Sequence, residues 1–195
     1  MIEKEQVLWQ VAQQMTLNLQ ANTKKLADMP AGELENIAQT PGIFAVFYNG
    51  RELGLGIGKT DELSMLYVDA ASQIVRHLQG NDTGATGLRR SLAAMLAVKY
   101  DLQAVPRNDD ENDVDRYDNY ALAADSEAKL TDWMQENLYI SVVAASPDMI
   151  DQLVPVMITS NAPVLNLTNN KNNQYGAEVK RCRKQLTAAA KAYQA

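Results

Sequence analysis

The chain has 195 residues, of which 46% are hydrophobic and 22% charged, and its net charge is −6. That length suits one packed domain with terminal extensions, and the composition excludes bulk disorder. The acidic excess excludes a uniformly basic nucleic-acid binder, because Lys and Arg neutralising phosphate supply most of such a protein's affinity.

Charge is nevertheless segregated along the chain. Asp109, Asp110, Glu111, Asp113, Asp115 and Asp118 crowd one short segment. Basic residues gather at Arg76, Arg89 and Arg90, and again at Lys180, Arg181, Arg183 and Lys184. The single Cys182 rules out an internal disulfide and cannot by itself build a zinc site. The first residues, MIEKEQVLWQ, are charged and then amphipathic, unlike a signal peptide, and no apolar run approaches a membrane span. A cytoplasmic location is expected, with no membrane association.

In chain order, Val7, Leu8, Val11, Met15, Leu17 and Leu19 recur at roughly helical spacing from Glu3 to about Leu26, followed by a second short helix after Pro30. Gly42-Ile43-Phe44-Ala45-Val46-Phe47-Tyr48 is apolar and rich in aromatic and β-branched residues, which predicts a buried strand. Asn49-Gly50 tolerates positive φ and predicts a hairpin turn into a returning strand over 52–58, whose glycines suit close approach by a neighbour. From Asp61 to Leu78, Leu63, Leu66, Tyr67, Ala70, Ala71, Ile74 and Val75 predict one helical face. A further helix runs from Gly87 to Tyr100, the acidic stretch 107–119 reads as a solvated loop, and Glu127–Asn137 reads as helix. Leu138–Val143 reads as a third strand, Pro147 opens a helix towards Ile158, and 177–193 closes the chain as a helix. Few strands, partly antiparallel and interleaved with helices, give an α+β fold.

Several chemical readings fail on spacing. Gly54-Leu55-Gly56-Ile57-Gly58-Lys59-Thr60 misses the P-loop pattern because Leu53 stands where its first glycine belongs, and misses the dinucleotide fingerprint at Lys59. An EF-hand begun at Asp109 puts Val114 at the glycine and Tyr120 at the bidentate glutamate. His77 is the one histidine, which excludes multi-histidine metal sites and leaves catalytic triads without a partner. Arg181 and Arg183 flank Cys182 in a way that lowers a thiol's pKa, but no base or second cysteine accompanies it.

Gly42-Ile43-Phe44, eleven intervening residues, then Gly56-Ile57-Gly58-Lys59-Thr60 resembles the paired motifs of GIY-YIG nucleases. Val75-Arg76-His77-Leu78 resembles that family's basic helix ending in histidine. Leu88-Arg89-Arg90-Ser91-Leu92, Trp133-Met134 and Pro163-Val164-Leu165-Asn166-Leu167 resemble segments of one bacterial branch, in order, over residues 42 to about 185. The resemblance implies hydrolysis of a phosphodiester by water, with a divalent cation, a tyrosine base, an arginine and a metal-holding glutamate.

Those positions fall here on residues of different chemistry. The first tyrosine falls on Phe44, the second on Gly56, the arginine on Gln73 and the glutamate on Val154; the asparagine alone is kept, as Asn166. The reading is therefore a helical extension over 1–40 and a GIY-YIG-like domain over 41–195, with no confident catalytic residue, no metal site and no cofactor. Its expected role is binding nucleic acid or a protein partner through a groove lined by Lys59, Arg76, His77, Arg89, Arg90 and Asn166. In that groove Arg89 and Arg90 are expected to contact phosphate, or else to pair with carboxylates of 109–118. Two alternatives stand beside it. One is a working Mg²⁺- or Mn²⁺-dependent endonuclease in which Arg76 and Asp151 stand in for the lost groups. The other is an interaction module whose acidic face engages a basic partner. The sequence leaves oligomeric state open.

Overall fold

The computed structural model describes residues 2–50, 52–55 and 62–193. Helix α1 (Ile2–Ala21) leads into strand β1 (Lys24–Lys25), helix α2 (Glu33–Ala38) and strand β2 (Gly42–Tyr48). Strand β3 (Ser64–Ala70), the short helix α3 (Ile74–Leu78) and helix α4 (Gly87–Tyr100) follow. Strands β4 (Ala104–Val105) and β5 (Ala121–Leu122) pair around the acidic loop. Helix α5 (Ala124–Asn137), strand β6 (Tyr139–Ala144), helix α6 (Pro147–Asn161) and helix α7 (Gly176–Ala192) complete the fold.

The main sheet has the order β1-β6-β2-β3, with every neighbouring pair antiparallel. All seven residues of β2 are buried, because helices cover both faces of this inner strand. A strand covered on both sides reads as an unbroken apolar run. On one face Phe44, Val46 and Tyr48 pack with Leu88 and Leu92 of α4, Trp133 and Met134 of α5, and Leu186 of α7. On the other, Ile43, Ala45 and Phe47 meet Ala12 and Leu19 of α1 and Leu153 and Met157 of α6. Each fully buried Phe or Leu contributes about 1.5–3 kcal/mol of transfer free energy. Gly42 admits β6 closely: a Cβ there would sit 2.6 Å from the Val143 carbonyl oxygen.

The N-terminal block joins this architecture. Beyond the packing of α1, Lys24 and Lys25 extend the sheet by pairing with Ile140 and Tyr139.

Two sequence expectations are corrected. The partner of β2 on its far side is 64–70, not 52–58. Residues 52–55 are turn and bend, and Gly56, Ile57, Gly58, Lys59 and Thr60 lie outside the described residues. Residues 64–70 are strand rather than part of a helix, and helix is confined to Ile74–Leu78 after a 3₁₀ turn at Ala71–Gln73. The cause is a β-bulge: Val46 pairs with Tyr67 but Phe47 with Met65, so Leu66 is the extra residue. Leu66 and Tyr67 consequently join the same core, while Met65 and Val68 join the opposite one. Two successive residues on one face break the period of two and imitate helical spacing.

The connection after β2 is held at Glu52. Its carboxylate accepts from Tyr100 Oη at 2.8 Å and Trp133 Nε1 at 2.6 Å and pairs with Lys99, while its N–H donates to Tyr48 Oη at 3.0 Å. These donors, Lys99 foremost and then Trp133, pull its pKa down to about 2. Deeper in, Arg89 is fully buried and donates to Glu127 Oε2 and Thr131 Oγ1, both at 2.9 Å. Glu127 also accepts from the Thr83 N–H at 2.7 Å and the Thr83 hydroxyl at 2.9 Å.

Two measurements test these anchors. Arg89→Ala leaves the Glu127 carboxylate buried without its cation and should cost about 3–5 kcal/mol in urea unfolding; a change below 1 kcal/mol would show that the pair does not hold the fold. For Glu52 the folded pKa lies below the unfolded value of about 4.3, so its contribution is fully present above that pH and is lost as pH falls towards 2. The stability difference between the native chain and Glu52→Gln should therefore be constant above pH 5 and shrink below pH 4. A difference independent of pH would refute the assignment.

Candidate functional site

The bulge that diverts β3 turns Tyr67 towards α3, and Asp69, two residues on, lies on the same side of the strand. Phe44, Tyr67 and His77 form an aromatic nest with ring centroids 6.3 Å (Phe44–Tyr67), 5.9 Å (Phe44–His77) and 4.9 Å (Tyr67–His77) apart. Asp69 closes it: Oδ2 accepts from the Tyr67 hydroxyl at 3.2 Å and faces His77 Nε2 at 3.3 Å, and Oδ1 accepts from the Ala70 N–H at 2.8 Å. Burial, and then the Asp69 charge, raise the Tyr67 phenol well above its ordinary range, so it remains a proton donor.

Two clefts open beside this nest. The first, ≈ 390 Å³, is lined by Tyr67 and Asp69, by Val154 of α6, by the 165–169 segment, and by Arg90 and Arg183. The second, ≈ 450 Å³, is lined by Arg76, Gly84, Arg90, Arg107, Asn108 and Asn119 and by Asp82, whose Oδ1 accepts from the Ala85 N–H at 3.1 Å. Arg90 belongs to both. Burial, followed by the charges of Arg183, Arg107 and Arg76 among its neighbours, lowers its pKa to about 10, so it stays protonated at neutral pH. Its Nη1 donates to the Gly84 carbonyl, and its buried Nε has no partner among the described residues. Arg107 is paired with Asp113, whereas Arg76, Arg90 and Arg183 have no carboxylate partner among the described residues.

Of the residues expected to line one groove, Arg76 and Arg90 share a cleft, and Lys59 lies outside the described residues, as does Gly56, the position matched to the family's second tyrosine. Three others are withdrawn from solvent. His77 is buried against Asp69. Arg89 faces the core and pairs with Glu127, neither open to phosphate nor tethered to the acidic loop. Asn166 lines the first cleft, but its amide is committed to the backbone: Oδ1 accepts from the Val68 N–H at 2.9 Å and Nδ2 donates to the Val68 carbonyl at 3.0 Å. With Leu165 N–H donating to the Leu66 carbonyl at 2.8 Å, this segment covers the free edge of β3. Asn166 is a clamp on a strand edge. Gln73 sits half-buried at the end of the 3₁₀ turn.

Cys182 faces the core of α7, and burial raises its thiol pKa, outweighing the flanking Arg181. Sequence reading missed Tyr67, Asp69 and Arg107. The signal for the first two was the alternation in Tyr67-Val68-Asp69, masked by the bulge; nothing local marks Arg107. Arg183 was visible as part of a basic run, and the buried stripe Val179, Cys182, Leu186 places it at the edge of the packed face.

A divalent cation requires several oxygen ligands, and the residues at this site do not fit one. Val154, at the position the resemblance gives to a metal-holding glutamate, lines the first cleft with an apolar side chain. Asp151 is exposed one turn earlier on α6 and is not part of the cleft lining. Both Asp69 oxygens already accept hydrogen bonds. Among the described residues no group of three or more His, Cys, Asp or Glu side chains is arranged to hold a metal. No described helix is long and apolar enough to cross a membrane.

Among protein families, the model described as GIY-YIG catalytic domain matches residues 55–185. The match takes in β3, both clefts and most of α7, and begins after β2. No curated protein and no solved structure matches the chain.

The clamp at the β3 edge is testable by Asn166→Ala, which strands the Val68 N–H and carbonyl. Urea unfolding should show a loss of about 1–3 kcal/mol. Unchanged stability would remove the clamp as an explanation of this residue.

Proposed function

This chain belongs to the GIY-YIG catalytic-domain family, and we propose that it is a nuclease-like module that binds a nucleic-acid backbone without cleaving it. Arg90 carries the reading. A partly desolvated guanidinium, with an unsatisfied buried donor and three other guanidinium charges nearby, is electrostatically costly in the free protein. An anion in the adjoining clefts relieves that cost, and phosphate oxygens match the donor geometry of arginine. The acidic total of the chain does not oppose this, because its densest carboxylates sit in the 109–118 loop and at least one, Asp113, is already paired with Arg107.

Loss of cleavage rests on the chemistry of the remaining side chains. Phe44 keeps an aromatic ring but has no hydroxyl to act as base. Tyr67 is the hydroxyl beside it, and its raised pKa keeps the proton in place at neutral pH. Gln73 carries no charge to stabilise a pentavalent phosphorus, and Val154 cannot ligate a metal. Phosphoryl transfer draws nearly all its rate from such positioning and charge stabilisation.

Binding and hydrolysis are measured together, with a short DNA duplex in Mg²⁺ and in Mn²⁺ over a salt series. The native chain should bind with affinity falling steeply as salt rises and should leave the duplex intact. Arg90→Gln should weaken binding to all sequences alike and flatten the log–log salt slope by about 0.9. Unchanged affinity and slope in that variant would overturn the binding reading. Cleavage by the native chain that disappears in Asp151→Ala would instead establish an endonuclease with a relocated carboxylate.

A further inference from the structure

The two clefts meet at Arg90, one holding Arg183 and the other Arg76. We infer that they seat neighbouring phosphates of a single strand, with Arg90 between them, so that the ligand is a continuous phosphodiester chain rather than a mononucleotide or free phosphate. The inference rests on the binding reading above and adds to it a count and a path.

Three features support the path. Arg90 comes from α4, Arg183 from α7 and Arg76 from α3, so separate elements deliver one further cation to each of the two clefts that Arg90 lines. A guanidinium has five N–H donors in a planar fork and can serve anions on two edges; here the Gly84 carbonyl uses one donor, Nη1, within the second cleft. The one carboxylate beside Arg90 and Arg183 in the first cleft, Asp69, has its charge taken up by Tyr67, His77 and the Ala70 N–H, which lowers its repulsion of a phosphate. A strand tracked through its backbone is the ligand such a surface suits.

The test uses the full chain and an eight-residue oligodeoxythymidylate, with affinity measured across salt. Single strands lose about 0.7 in log–log slope for each phosphate contact removed. Arg183→Gln and Arg76→Gln should each lower the slope by about that amount, and the double variant by about twice as much. Arg183→Lys should retain the native slope, and so should Lys129→Gln, a control outside both clefts. A double variant no flatter than either single one would mean one shared phosphate, overturning the two-phosphate path while leaving backbone binding intact. An equal effect from Lys129→Gln would reduce the result to overall charge and overturn the path as well. No change in any variant would remove the binding reading itself.

Discussion

A fully buried arginine is admissible only with its charge paired, and Arg89 meets that demand through Glu127, with Thr131 as a second acceptor and its buried Nε left without a partner among the described residues. The same carboxylate collects Thr83 ahead of α4, so one ion pair fastens a loop, the start of α4 and the start of α5 together. Successive residues on a helix are rotated by about 100°. Anchoring Arg89 in the core therefore fixes where Arg90 emerges, at the wall between the two clefts. Two adjacent arginines of identical chemistry thus do opposite work, one internal and structural, the other aimed outward.

The electrostatics of the molecule are local rather than global. A net charge of −6 coexists with three guanidiniums around the clefts that have no carboxylate partner among the described residues. Tyr120 reinforces the arrangement by donating to the Arg90 carbonyl at 2.6 Å, which steadies the backbone beneath the side chain. Within the acidic loop Asp113 accepts from Arg107 and Asn108, and Asp110 accepts from the Asn112 N–H at 2.9 Å. Sign asymmetry at this scale decides what a surface attracts, since screening confines each patch to within about 10 Å.

The aromatic nest around Phe44 occupies the place where the family resemblance puts a catalytic hydroxyl. A hydroxyl is present next door, on Tyr67, but Asp69 and burial hold it in its protonated form. Val154 makes the adjoining wall apolar. The described scaffold has a bulged edge strand, a clamp across that edge and helices on both faces, and the positions that the resemblance marks as reactive hold Phe44, Gln73 and Val154.

The sequence by itself determined the α+β class, the unbroken burial of β2 and the limits of α4, α5, α6 and α7 to within a few residues, because each is set by local periodicity and local breakers. It also carried the family, through motifs spread along the chain. It did not determine the partner of β2, since a bulge at Leu66 gave a strand the spacing of a helix, and pairing between distant segments leaves no local mark. Nor did it separate the fates of Arg89, Arg90, His77 and Asn166. Burial of a polar side chain depends on which groups from other elements arrive to meet it: Glu127 for Arg89, Asp69 for His77, the Val68 backbone for Asn166. Tertiary structure alone decided which cations face the clefts, because a side chain's chemistry is written in the sequence and its neighbours are not.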